Sequence, residues 1–100
     1  MTIAIDFDGV IHKYSKGWLD GSIYDVPMDG AKETIDNLIN EGHTVIVSTA
    51  RPNIEDIKPW LIKNGFPDIE VTNRKPPAKI YIDDRAIRFT SWNDIKKYIL

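Results

Sequence analysis

Asp6 and Asp8 stand two residues apart in the run Ile3-Ala4-Ile5-Asp6-Phe7-Asp8-Gly9, where an apolar stretch meets a turn-forming glycine. Side chains two apart on a strand share a face, so both carboxylates can address one reacting atom. One ionised Asp can act as a nucleophile, and the second can protonate a leaving oxygen and then activate water. Further along lie Ser48-Thr49-Ala50-Arg51, then Lys75-Pro76, then Asp83-Asp84. Hydroxyls, cations and carboxylates are what phosphoryl transfer asks of a protein, since its needs are mainly positioning and charge neutralisation. If Asp6, Asp8, Asp83 and Asp84 converge, their repulsion raises pKa values or unfolds the site unless a cation compensates. An all-oxygen donor set without Cys, and with no His at these strand ends, suits a hard ion. Magnesium, which keeps several waters for a substrate to displace, is the expected one.

These residues need elements that hold them at one place. Thr2–Phe7, Thr44–Thr49 and Lys79–Asp83 read as strands, with Ile69–Thr72 a weaker fourth and Arg88–Thr90 a short edge candidate. The β-branched run Thr44–Thr49 is expected to be covered on both faces. Between the strands lie helical patterns. Asp29 is expected to cap a helix from Gly30 to about Glu41, closed by Gly42, with Ala31, Ile35, Leu38 and Ile39 on one stripe. Asn53 is expected to cap a second helix bearing Ile54, Ile57 and Leu61, which Pro59 either kinks or restarts. Ser91-Trp92-Asn93-Asp94 reads as a capping box for a last helix carrying Trp92, Ile95 and Ile99. Strand and helix alternation predicts an α/β fold: a single three-layer, Rossmann-like domain over residues 1–100, with a parallel sheet and helices on both faces. Ligands in such sheets bind outside the carboxyl ends of the strands, where Asp6, Asp8, Thr49 and Asp83 would then sit.

In residue types and order, Asp6-Phe7-Asp8-Gly9-Val10, Ser48-Thr49-Ala50-Arg51, Lys75-Pro76 and Asp83-Asp84 resemble the haloacid dehalogenase-like (HAD) superfamily of phosphohydrolases, across residues 3 to 84. The resemblance implies Asp6 as nucleophile and metal ligand. It implies Asp8 as general acid–base, with its backbone carbonyl on the metal. Thr49 would hold a phosphate oxygen, Lys75 would neutralise the nucleophile and phosphoryl group, and Asp83 would complete the metal site. Gly9 sets the turn that adjusts Asp6 against Asp8. Arg51 is a candidate substrate-phosphate contact, and Asp84 a support or further metal ligand. Ser48 is the alternative to Thr49 and Lys79 the alternative to Lys75. Lys79 lies about 13 Å along its strand from Asp83, at the wrong end.

Two departures from the family pattern stand out. Lys75 precedes Asp83 by eight residues, where the family commonly places a helix. Residues 73 to 79 must then pass two strands, and nearly extended they reach the roughly 20 Å required. Secondly, no cap domain fits. Only Ile11–Met28 separates the first strand from the first helix, enough for a flap, so the site should be open, with a flap, an oligomer or the substrate covering it.

Composition narrows the rest. With 42% apolar and 28% charged residues the chain reads as an ordinary globular domain, and with no cysteine it has neither disulfide nor thiolate metal site. No apolar run approaches a membrane span and the N-terminus lacks a signal-peptide pattern, so a cytoplasmic protein without membrane contact is expected. A net charge of −2 disfavours broad nucleic-acid coating. It leaves room for a local basic group among Arg74, Lys75, Lys79, Arg85 and Arg88. His12 and His43 have no partner at metal-ligand spacing and read as structural or solvent-facing.

The expected function is a magnesium-dependent phosphomonoester hydrolase working through an aspartyl-phosphate. Its phosphorylated substrate could be a nucleotide or a nucleic-acid end, with Tyr14, Trp18 and Tyr24 of the flap available to stack on a base. The competing readings are a phospho-accepting signalling receiver and a catalytically silent binding protein. A receiver, however, places its acidic pair on the first strand and its phosphorylated Asp on a later one.

Overall fold

The computed structural model describes all of residues 1–100. Four strands, β1 (Thr2–Asp6), β2 (Thr44–Ser48), β3 (Glu70–Thr72) and β4 (Ile80–Ile82), form one parallel sheet in the order β3-β2-β1-β4. The helices are α1 (Ala31–Asn40), α2 (Ile57–Lys63, preceded by a 3-10 turn at Ile54–Asp56) and α3 (Trp92–Ile99). This is the expected α/β, Rossmann-like architecture. No helix is long and apolar enough to cross a membrane.

Register explains where the core lies. Ile3 pairs with Val45 and Ile5 with Val47, so these four side chains share one face of the sheet. They cluster with Ile35 of α1 and with Ile57, Trp60 and Leu61 of α2. Successive right-handed crossovers from β1 to β2 to β3 move one way across the sheet and therefore put α1 and α2 on the same side. β1 is buried at Ile3, Ala4 and Ile5, whereas β2 buries only Val45 and Val47 and leaves Ile46 half-covered. The expectation that β2 is covered on both faces thus fails. Its β-branched residues report strand propensity and cannot report what packs on the second face. α3 buries none of its residues.

The helix ends follow the glycines. Gly42 donates to the Ile39 carbonyl and His43 to Leu38, while Gly65 donates to Ile62 and Phe66 to Leu61. Both pairs form the closing motif that a left-handed glycine permits. At the amino ends two expected caps are missing. Gly30, in the left-handed region at φ 84°, stands at the cap of α1 with no side-chain bond, so Asp29 does not cap it. Asn53 makes no cap bond either, its amide donating to the Gly21 carbonyl and to Asp56. Pro59 sits in the first turn of α2, where its missing N–H leaves no bond unmade. Ser91 does cap α3, accepting from the Asp94 amide at 3.2 Å. Arg88–Thr90 forms no strand. Asp83 Oδ1 accepts from the Arg85 amide at 2.8 Å, an Asx turn that bends the chain off the sheet directly after β4.

The 73–79 connection passes two strands as required. It enters β4 with the Lys79 amide donating to the Thr2 carbonyl at 2.8 Å. The strand order leaves β1 beside β4, reached by the connection that reverses direction. The crevice at their carboxyl ends is the switch point where such sheets bind ligands.

Candidate active site

Asp6 ends β1 and Asp83 follows the last residue of β4, with Ile5 and Ile82 paired just before them. The two carboxyls and that of Asp84 each bring an oxygen within 4.8 Å of the others. Burial pushes the Asp6 carboxyl up to about 7; the charges of Asp83 and Asp84 push the same way, against the lowering effect of a hydrogen bond from the Phe7 amide. The three carboxylates could hold a hard, oxygen-seeking metal ion.

Gly9 leaves the space that Asp84 occupies beside this cluster. At φ 83° it occupies a conformation that side chains rarely adopt, and a Cβ there would lie 2.2 Å from Asp84 Oδ2. The sequence suggested a turn residue adjusting Asp6 against Asp8. The structure adds that its bare α-carbon makes room for Asp84.

Asp8 sits apart from the acidic cluster, in a nest of donors. Arg51 Nε donates to its Oδ2 at 2.7 Å, and Arg51 Nη2 to Oδ1 at 3.0 Å. His12 Nδ1 also meets Oδ1, at 2.8 Å. Arg51 is 3% exposed. Its Nη1 donates to the Gly21 carbonyl of the flap at 2.7 Å, and its guanidinium lies 5.1 Å from the centre of the Trp18 ring. Three of its five N–H groups are therefore engaged within the protein. The sequence made Arg51 a candidate for substrate phosphate; here its fork holds Asp8.

Thr49 is buried just beyond β2. Its Oγ1 accepts from the Arg51 amide at 3.1 Å, which leaves the hydroxyl proton free to donate. Asp6, Asp8, Thr49, Arg51, Asp84 and Arg85 line a cavity of about 370 Å³, with Tyr14 and Trp18 forming part of its wall. Ser48 does not line it. Neither does Lys75, whose ammonium lies 4.9 Å from the centre of the Tyr81 ring. Lys79 enters the sheet opposite Thr2, at the far end from Asp6.

Three residues stand at or behind the site that the sequence did not place there: His12, Asp25 and Arg85. His12 is fully buried, and the signal for it was the four-residue step from Asp8, which spans one tight turn. Asp25 connects to it by donating its backbone N–H to His12 Nε2 at 3.0 Å. Arg85 was visible only as a member of a basic group.

Comparison with known proteins adds the fold. No family model matches the chain, and no curated protein does. A solved structure, described as that of a conserved protein coded by a locus from Bacteroides thetaiotaomicron, superimposes with a TM-score of 0.69 at 26% identity, over 99% of this chain and 88% of that one. The chain is therefore similar to that protein nearly throughout, in an α/β fold with a parallel sheet.

Proposed function

We propose that this protein is a magnesium-dependent phosphomonoester hydrolase that passes the phosphoryl group through Asp6. The observation carrying this reading is the convergence of Asp6, Asp83 and Asp84 beside a cavity that also takes in Asp8 and Thr49. Asp6, Asp83 and Asp84, with the Asp8 backbone carbonyl, would hold the ion. When bound, magnesium supplies positive charge against the phosphoryl oxygens and keeps Asp6 ionised.

The chain's own groups do the rest. An Asp6 oxygen attacks phosphorus in line, and the P–O bond to the leaving group breaks. Asp8, which must carry a proton when the substrate binds, gives it to that oxygen. Water then attacks the aspartyl-phosphate, Asp8 takes the proton back, and Asp6 is released with inorganic phosphate. The free Thr49 hydroxyl donates to a phosphoryl oxygen. Arg85, on the cavity wall, supplies the charge that the resemblance assigned to Lys75.

The aromatic wall favours a nucleotide or a phosphorylated nucleic-acid end over a small sugar phosphate. Trp18 is more than half exposed at the cavity, and with Tyr14 offers a stacking surface to a base. The decisive experiment is hydrolysis of a nucleoside monophosphate and a 3′- or 5′-phosphorylated oligonucleotide with and without magnesium, in wild type and Asp6→Asn. The reading requires turnover that needs the metal and falls by about 10⁴-fold or more in the variant with its circular dichroism unchanged. Turnover indifferent to chelation or to Asp6→Asn defeats it.

A further inference from the structure

His12 has no exposed surface and is surrounded by aromatic rings: Phe7 stacks on it at 5.3 Å, with Tyr24 at 5.3 Å, Trp60 at 5.5 Å and Tyr14 at 5.6 Å between centroids. Both ring nitrogens are nevertheless engaged. A backbone N–H can only donate, so the Asp25 amide fixes Nε2 as an acceptor. In the neutral ring the proton then resides on Nδ1, aimed at Asp8 Oδ1 at 2.8 Å. Asp25 is itself held: the Ser15 amide and hydroxyl both donate to its carboxylate, and the Trp60 indole donates to its carbonyl at 3.2 Å. A chain of hydrogen bonds thus runs from α2 through the flap to one oxygen of Asp8.

The two oxygens of Asp8 differ as a result. Oδ1 has His12 and Arg51 Nη2, whereas Oδ2 has only Arg51 Nε. Arg51 lines the cavity, where an arriving phosphate would compete with Asp8 for its fork. His12 is sealed in its aromatic cage.

We propose that His12 is the positioning residue for Asp8: its single tautomer pins Oδ1 throughout turnover and leaves Oδ2 as the oxygen that exchanges protons with the leaving group and with water. The proposal rests on the phosphohydrolase reading. In the first step the Asp6–phosphorus bond forms, the bond to the leaving oxygen breaks, and that oxygen receives the proton from Asp8 Oδ2. In the second step the water–phosphorus bond forms, the Asp6–phosphorus bond breaks, and the water proton returns to Oδ2. His12 neither gains nor loses a proton and touches no reacting atom. Its effect is to hold Oδ2 on the line of the leaving group, where a misplacement of about 1 Å costs on the order of a hundredfold.

The test follows pre-steady-state release of phenol and p-nitrophenol from phenyl phosphate and p-nitrophenyl phosphate, in wild type, His12→Phe and His12→Asn. Phe fills the cage without a donor. Asn keeps an N–H near the position of Nδ1. With His12→Phe, phenol release slows by about tenfold to a hundredfold, p-nitrophenol release slows less because that leaving group needs little protonation, and half-saturating ester concentrations stay within about twofold. His12→Asn recovers most of the loss. Equal losses on the two esters, or an Asn variant no better than Phe, overturn the proposal.

If His12→Phe does not fold, nitrogen-15 NMR of the wild-type imidazole decides. A protonated Nδ1, a bare Nε2 and an Nδ1 proton signal displaced by Asp8→Ala support the proposal. A proton on Nε2, or an Nδ1 signal indifferent to Asp8→Ala, overturns it. Absence of any ester hydrolysis by wild type would defeat the phosphohydrolase reading, and the imidazole measurement would still decide the positioning.

Discussion

β1 has two unlike neighbours. On one side Ile5 pairs with Val47, which has no exposed surface, under the cover of α1 and α2. On the other side the same Ile5, 4% exposed, pairs with Ile82, which is 41% exposed. Beyond Ile82 the apolar residues Ile87, Phe89, Trp92, Tyr98 and Ile99 are all exposed as well. The candidate site straddles this divide. Asp6, Asp8 and Thr49 come from the well-packed side, and Asp83 and Asp84 from the thinly packed one. A cation held between Asp6 and Asp83 would therefore join the two halves, so that metal binding and local order become one event.

The largest expected effect tests the packing contrast itself. Ile5→Ala removes a core side chain and should cost about 2–5 kcal/mol in denaturant unfolding. Ile82→Ala, its register partner, should cost on the order of 1 kcal/mol or less, because much of its surface is already in water. Equal costs would mean that β4 is packed as firmly as β2.

Next in size is the cation proposed to meet the phosphoryl group. Arg85→Ala should lower kcat/KM by about tenfold to a hundredfold, the contribution of one charge-assisted contact in a partly dry site. Lys75→Ala should lower it less, since Lys75 rests on Tyr81 away from the cavity. A larger loss at Lys75 would show that the 73–79 connection moves to bring it in.

The smallest effect is electrostatic. Asp6 titrates near 7 in the folded protein, against an ordinary value of 3.8. Between those two pH values the folded state holds a proton that the unfolded state has released. Stability without metal should therefore fall as pH rises from about 4 to about 7 and level off above. Discounted for the solvent reaching this half-open site, the change is on the order of 1 kcal/mol, a few degrees in melting temperature. Saturating magnesium should raise the melting temperature most at pH above 7, where Asp6 is ionised. Amide exchange should slow most at residues 80–84. A metal effect equal at pH 5 and pH 8 would argue against Asp6 as a ligand.

Much of this architecture was legible in the residues. Short apolar runs running into Asp6 and Asp83 marked strands whose carboxyl ends carry carboxylates, and the parallel order followed from alternation with helices. What escaped detection depends on tertiary partners. The Arg51–Asp8 pair joins residues 43 apart, and nothing in either segment shows that the fork faces inward to a carboxylate. Metal-ligand spacing says nothing of His12, whose partner is a carboxylate one turn away. Asp29 has the right chemistry for a cap, but Gly30 in the left-handed region takes the cap position and no side chain bonds there. The stripe on α3 was readable, and a stripe says only that a face is apolar, not what covers it.

The central claim is that phosphate passes through Asp6. Quenching wild type in mid-turnover with a phosphorylated substrate and magnesium, then reducing with borohydride, converts an aspartyl-phosphate into homoserine at the labelled position. Peptide mass spectrometry should find homoserine at position 6 alone, and none without substrate or in Asp6→Asn. Continued turnover with no homoserine at position 6, or with the label on Asp8, Asp83 or Asp84, would contradict the account.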